Sequence, residues 1–131
     1  MLRKIFFGLC LMVWALAAQA QTLDIRYFHG KQRCTTCMNI EKYTLELLQE
    51  QYATQLKNGT IKMSIIDFST AEGKKLADQQ KVSFSSLFLV MKGKDKKETI
   101  VNLTRLGFQY AKNNPKEFKR LLREEIDKLL K

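Results

Sequence analysis

Two cysteines three residues apart, Cys34 and Cys37 in the stretch Arg33-Cys34-Thr35-Thr36-Cys37, stand where a strand hands over to a helix. No other feature constrains the chain as tightly. Before them, Leu23-Asp24-Ile25-Arg26-Tyr27-Phe28 reads as a strand that runs out at His29-Gly30. After them, residues 38–56 have the length and composition of a helix. A spacing of three puts both cysteines on the same side of one helical turn. Their Cα atoms then lie about 5 Å apart, inside the roughly 4.4–6.8 Å that a disulfide accepts. Cycling between dithiol and disulfide therefore asks little of the backbone.

The same placement makes the sulfurs unequal. Cys34 falls at the helix start, where unpaired backbone N–H groups and the helix dipole favour an anion. Lys31 and Arg33 add positive charge beside it. In such surroundings a thiol pKa drops from about 8.5 to roughly 3.5–7.5. Cys37, one turn in, is expected to be more buried and less acidic. That describes an attacking thiol and a resolving thiol.

A C-x-x-C also occurs as half of a zinc knuckle, as a haem attachment, or as an inert structural disulfide. Haem attachment needs His directly after the second Cys, and Met38 stands there. A closed zinc site needs four ligands. Downstream of residue 20 the chain offers Cys34, Cys37 and His29, with no further Cys or His. Two thiolates suffice for Cu(I), so Cys34 and Cys37, joined by His29, form an alternative Cu(I) or Zn site. A stable disulfide in a non-catalytic binding module is the remaining alternative.

Residues 1–20 have the form of an export signal. Arg3 and Lys4 make a charged start, an apolar run follows, and Ala18-Gln19-Ala20 matches the small-x-small cleavage pattern. The run is too short for a membrane span, which needs about 20 residues. Cleavage before Gln21 removes Cys10 and leaves residues 21–131 as one small domain, in a periplasmic or secreted compartment where disulfides persist. Without Arg3 and Lys4, Lys+Arg falls from 23 to 21 against 13 acids, a net charge of +8. The basic residues are spread between acids and lack interleaved aromatics, which argues against nucleic acid. The charge instead favours acidic partners or a membrane surface. Oligomeric state is not legible.

Further elements follow in order. The helix closes at Lys57-Asn58-Gly59, a turn signal, and Ile61-Lys62-Met63-Ser64-Ile65 alternates as a second strand. Ser69 with Glu72 has the form of a capping box, opening a short helix to about Gln80 that Gly73 weakens. Residues 86–91 are almost continuously apolar, as a central strand is. Residues 92–97 are a charged turn into a hairpin partner over residues 99–103. Asn114-Pro115-Lys116-Glu117 opens a last helix, with Phe118, Leu122 and Ile126 on its apolar face.

The order is β-α-β-α-β-β-α, with C-x-x-C at the first strand–helix junction. This resembles the thioredoxin-like superfamily over nearly all of residues 21–131. The resemblance implies an α/β fold, a central mixed sheet flanked by helices, with Cys34 as nucleophile and Cys37 as resolving thiol. Tyr27-Phe28-His29-Gly30 followed by the cysteine stretch is similar to small exported thioredoxin-like proteins, some labelled as nitrophenyl compound nitroreductase subunits. That label specifies no chemistry for these residues. The chain departs from the superfamily's pattern in three places. Thr35-Thr36 separates the cysteines instead of Gly-Pro. Phe28 stands where a buried acid is usual, six residues before the nucleophile. Ser85 or Ser86 replaces the proline that faces the cysteines, so the peptide there is expected to be trans, since a non-proline cis bond costs about 2.5–4 kcal/mol. The implied activity is thiol–disulfide exchange with protein or small-molecule disulfides, using no cofactor beyond the redox-active pair.

Overall fold

Alternation along β1 (Thr22–His29) sets the centre of the fold. Leu23, Ile25 and Tyr27 are buried on one face, while Asp24 and Arg26 occupy the other. The structure is a computed structural model that describes residues 21–131. The export signal expected over residues 1–20 lies outside the described residues. β1 pairs in parallel with β2 (Ile61–Asp67) and antiparallel with β3 (Ser86–Lys92). β4 (Glu98–Asn102) closes the other edge antiparallel to β3, so the order is β2-β1-β3-β4. A parallel pair needs a crossover, and α1 (Thr35–Gln51) with α2 (Ala53–Asn58) supplies it.

Both faces of the sheet are covered. On one, Leu23, Ile25 and Tyr27 of β1 and Leu87 and Leu89 of β3 pack with Ile40 and Leu48 of α1. Phe118, Leu122 and Ile126 of α5 (Pro115–Leu130) complete that core. On the other face Phe28 packs with Ala77 of α3 (Ala71–Gln79), Val82 and the part-buried Ile66, Phe68 and Phe88. β3 lies between two layers, which is why its sequence is continuously apolar rather than alternating.

The observed elements differ from the expected ones in three ways. The helix expected over residues 38–56 is two helices, broken at Tyr52, whose φ of −131° leaves the helical range. Its side chain turns in and donates from its hydroxyl to Asp127 Oδ1 of α5 at 2.5 Å. A tertiary bond thus redirects a segment whose composition is helical throughout. The cap of α3 is Thr70 rather than Ser69. Thr70 Oγ1 accepts from the Gly73 N–H at 3.0 Å, while Ser69 donates from its N–H and its hydroxyl to Asp67 Oδ1. Gly73 is there because a Cβ at that position would stand 1.8 Å from the Asp67 carbonyl oxygen.

The third difference is an added helix, α4 (Thr104–Tyr110), between β4 and α5. It is short and contains Gly107, and its one local start signal is Asn102, whose Oδ1 accepts from the Thr104 N–H at 3.0 Å. It is held by tertiary contacts. Thr104 Oγ1 accepts from the Leu87 N–H at 3.0 Å, and a Cβ on Gly107 would come within 2.9 Å of Ile40 Cδ1. α4 therefore braces α1 against the start of β3, the two segments that meet at the cysteines.

Candidate active site

Chain direction brings the cysteines to one end of the sheet. β1 runs out at His29, the chain turns through residues 30–33, and α1 begins at Thr35. Cys34 is the N-cap residue rather than part of the first turn. Its backbone is extended (φ −76°, ψ 162°), and its Sγ accepts from the Cys37 N–H at 3.1 Å. The two sulfurs are joined as a disulfide with a Cα separation of 5.0 Å, the spacing expected of one helical turn. Cys34 is exposed and Cys37 is buried at 6%. A partner sulfur can reach only the first. The first turn of α1 carries no acidic residue, so nothing there offsets the partial positive charge of the helix start.

The expected flanking cations behave differently from each other. Lys31 is exposed and makes no ion pair among the described residues. Arg33 is half-buried, and its Nη2 donates to Glu41 Oε1 at 2.8 Å. Part of the positive charge that the sequence places beside Cys34 is therefore answered by a carboxylate two turns into α1.

Tyr27 sits beneath this pair with no exposed surface. Its hydroxyl donates to the Cys37 carbonyl at 2.7 Å. Burial pushes the phenol above its ordinary pKa, against the opposing pull of the Arg33 guanidinium and the Ser85 hydroxyl. Phe28, the residue at the expected place of a buried acid, is on the opposite face, edge-on to Phe88 at 5.9 Å between ring centroids. A side chain there would not reach the sulfurs. The strand's inward stripe is Leu23, Ile25, Tyr27, and that parity points to Tyr27. Glu41 is also legible in principle, because it follows Cys37 by four residues on one helix face.

Of the two serines, Ser85 is the one at the site. Ser86 turns away, donating to the Phe84 carbonyl at 2.7 Å, and its strand partner is Phe28. The peptide bonds of the described residues are all trans. Phe84, just before this pair, is 63% exposed, and Met38, just after Cys37, is also exposed. His29 is drawn to its own turn, with Nδ1 3.0 Å from the Gly30 carbonyl. Among the described residues no group of three or more His, Cys, Asp or Glu is arranged to hold a metal.

No protein-family model matches the chain, and neither does any curated protein sequence. Solved structures do. A thioredoxin from Fasciola hepatica superposes with a TM-score of 0.51 at 18% identity, covering 90% of this chain and 90% of that one. A thioredoxin from Thermus thermophilus gives 0.49 at 18% identity, covering 80% and 74%. At that identity the likeness to the Fasciola protein is one of fold: a mixed four-stranded sheet flanked by helices gives this chain a thioredoxin-like α/β fold.

Proposed function

We propose that the chain is a thiol–disulfide oxidoreductase that works through Cys34 and Cys37. The observation that carries this is the asymmetry of one disulfide: an exposed Cys34 at a helix start, bonded to a buried Cys37 one turn on. In the reduced protein, the Cys34 thiolate attacks one sulfur of a partner disulfide and releases the first partner thiolate. Cys37 then loses its proton and attacks Cys34 Sγ. The Cys34–partner bond breaks, the second partner thiolate leaves, and the Cys34–Cys37 disulfide re-forms. The protein gives up two electrons and the Cys37 proton, and that proton together with the one released when Cys34 ionised turns the two partner thiolates into thiols. The reverse sequence oxidises a partner dithiol by the same atoms. Lys31 and the helix start favour the thiolate in either direction.

Partners are protein or small-molecule disulfides and thiols, met outside the cytoplasm, periplasmic or secreted. The leader-like residues 1–20 and the absence of any further cysteine downstream support that setting. An insulin or reporter-disulfide assay tests the function: turnover should survive chelators and vanish in Cys34→Ser and in Cys37→Ser. Cys37→Ser should also accumulate a mixed disulfide on Cys34. Intact mass of the exported protein, expected to begin at Gln21, tests the compartment. Tight Cu(I) or Zn²⁺ binding by the reduced protein with no turnover would overturn the assignment.

A further inference from the structure

Beneath the disulfide, one buried hydroxyl is bonded to the backbone of the redox pair at Cys37. Tyr27 has no exposed surface, and its Oη donates to the Cys37 carbonyl at 2.7 Å. The Arg33 guanidinium pulls on the same phenol, and Arg33 is joined by its peptide bond to Cys34. Arg33 in turn is fixed at Nη2 by Glu41 at 2.8 Å, one turn beyond Cys37 on α1. Its Nε is buried and has no hydrogen-bond partner. The guanidinium therefore stays under the helix start because it is clamped there, not because every donor is satisfied.

We propose that Tyr27 is the positioning residue of the redox pair: through the Cys37 carbonyl on one side and the Arg33–Glu41 pair on the other, it holds the Cys37 thiol against Cys34 Sγ. The proposal deepens the oxidoreductase reading and rests on it for its catalytic meaning. The physical effect is on effective concentration. Two thiols on a loose helix start meet rarely, whereas fixing the residue before one and the carbonyl of the other converts their encounter into a pre-arranged one. Because the hydroxyl is fully buried, no water takes over the bond when it is removed. Resolution by Cys37 depends on this geometry, while the first attack by the exposed Cys34 does not.

The test is the equilibrium of the Cys34–Cys37 pair with glutathione and glutathione disulfide, read by alkylation and mass spectrometry on wild type, Tyr27→Phe and Tyr52→Phe. Tyr27→Phe keeps the ring and removes the hydroxyl. The equilibrium constant for closing the disulfide should fall about tenfold, an upward shift in potential of about 30 mV for a two-electron couple. Alkylation of Cys34 in the reduced protein should stay within about twofold, as the thiolate fraction sets that rate. Tyr52→Phe deletes a hydroxyl hydrogen bond of another buried tyrosine, the one to Asp127, and should leave the potential at the wild-type value. An unchanged potential in Tyr27→Phe would overturn the proposal, as would an equal shift in Tyr52→Phe, which would mark general loosening. If Tyr27→Phe does not fold, Glu41→Ala removes the acceptor that fixes Arg33 at a part-exposed position and should lower the closing constant severalfold in the same direction; no change there overturns the proposal too. Wild type that fails to reduce insulin refutes the oxidoreductase reading, while the glutathione equilibrium still reports on Tyr27.

Discussion

Replacing Gly73 with alanine sets two physical effects against each other with opposite signs. Helix propensity favours alanine over glycine by about 1 kcal/mol in a helix interior. On sequence grounds alone Gly73→Ala should therefore strengthen α3. The structure reverses the sign. A Cβ on residue 73 would lie 1.8 Å from the Asp67 carbonyl oxygen and 2.5 Å from its carbon, and both atoms are backbone. Neither can swing aside as a side chain would. The first turn of α3 must move away from the end of β2, and the move strains three bonds at once: Thr70 N–H to the Asp67 carbonyl at 3.2 Å, Thr70 hydroxyl to the same oxygen at 2.8 Å, and the Gly73 N–H to Thr70 Oγ1 at 3.0 Å. Loss of the cap costs about 1 kcal/mol, and overpacking with backbone displacement adds roughly 1–3 kcal/mol. Set against the propensity gain of about 1 kcal/mol, the net is a destabilisation of about 1–3 kcal/mol. For a domain of this size each kcal/mol shifts Tm by about 4–8 °C. Thermal and urea unfolding of wild type and Gly73→Ala measure it. The Cys34–Cys37 potential should not change, since α3 covers the face of the sheet opposite α1. A variant as stable as wild type, or more so, would refute the steric reasoning and leave propensity in charge.

Other consequences follow from exposure and burial. In the reduced protein near pH 6, an alkylating probe should modify Cys34 well before Cys37, because Cys34 is exposed at the helix start and Cys37 is buried; equal labelling, or labelling mainly at Cys37, would refute the nucleophile assignment. Burial lifts the phenols of both Tyr27 and Tyr52 above their ordinary value, and Tyr52 is lifted further by the Asp127 carboxylate that accepts its hydrogen bond. A phenol whose folded pKa is raised contributes stability that is complete below its unfolded pKa of about 10 and is lost as the pH climbs past it. Stability should thus fall above about pH 10, and less steeply in Tyr52→Phe, as read by urea unfolding across pH 8–11. Equal slopes in wild type and Tyr52→Phe would refute the role given to Tyr52.

Where a residue's neighbours in sequence are also its neighbours in space, the sequence was readable. The last helix begins where Asn114, Pro115 and Glu117 say it does, with the Asn114 side chain accepting from the Glu117 N–H. The two-sided apolar run of β3 and the alternation of β1 follow from a strand period that tertiary packing did not disturb. The cysteines lie at the junction of β1 and α1 because that junction is a local event. Readability fails where a distant group decides. α4 has only Asn102 before it as a local signal and is held in place because Gly107 fits against Ile40 and Thr104 caps the start of β3. The break at Tyr52 is set by Asp127, seventy-five residues away.

The chemistry of the site divides along the same line. From the sequence alone come the strand, the turn, the helix start and a spacing of three, which together require that Cys34 and Cys37 be able to join and that they differ. Hydrogen-bond geometry along one helical turn is sufficient for that. Only the tertiary structure decided what surrounds them: that Arg33 is answered by Glu41, that Ser85 rather than Ser86 faces the site, and that Tyr27 rather than Phe28 lies beneath it. The side chains of adjacent strand residues point to opposite faces, so a one-residue difference in counting separates a residue that touches the cysteines from one that never can.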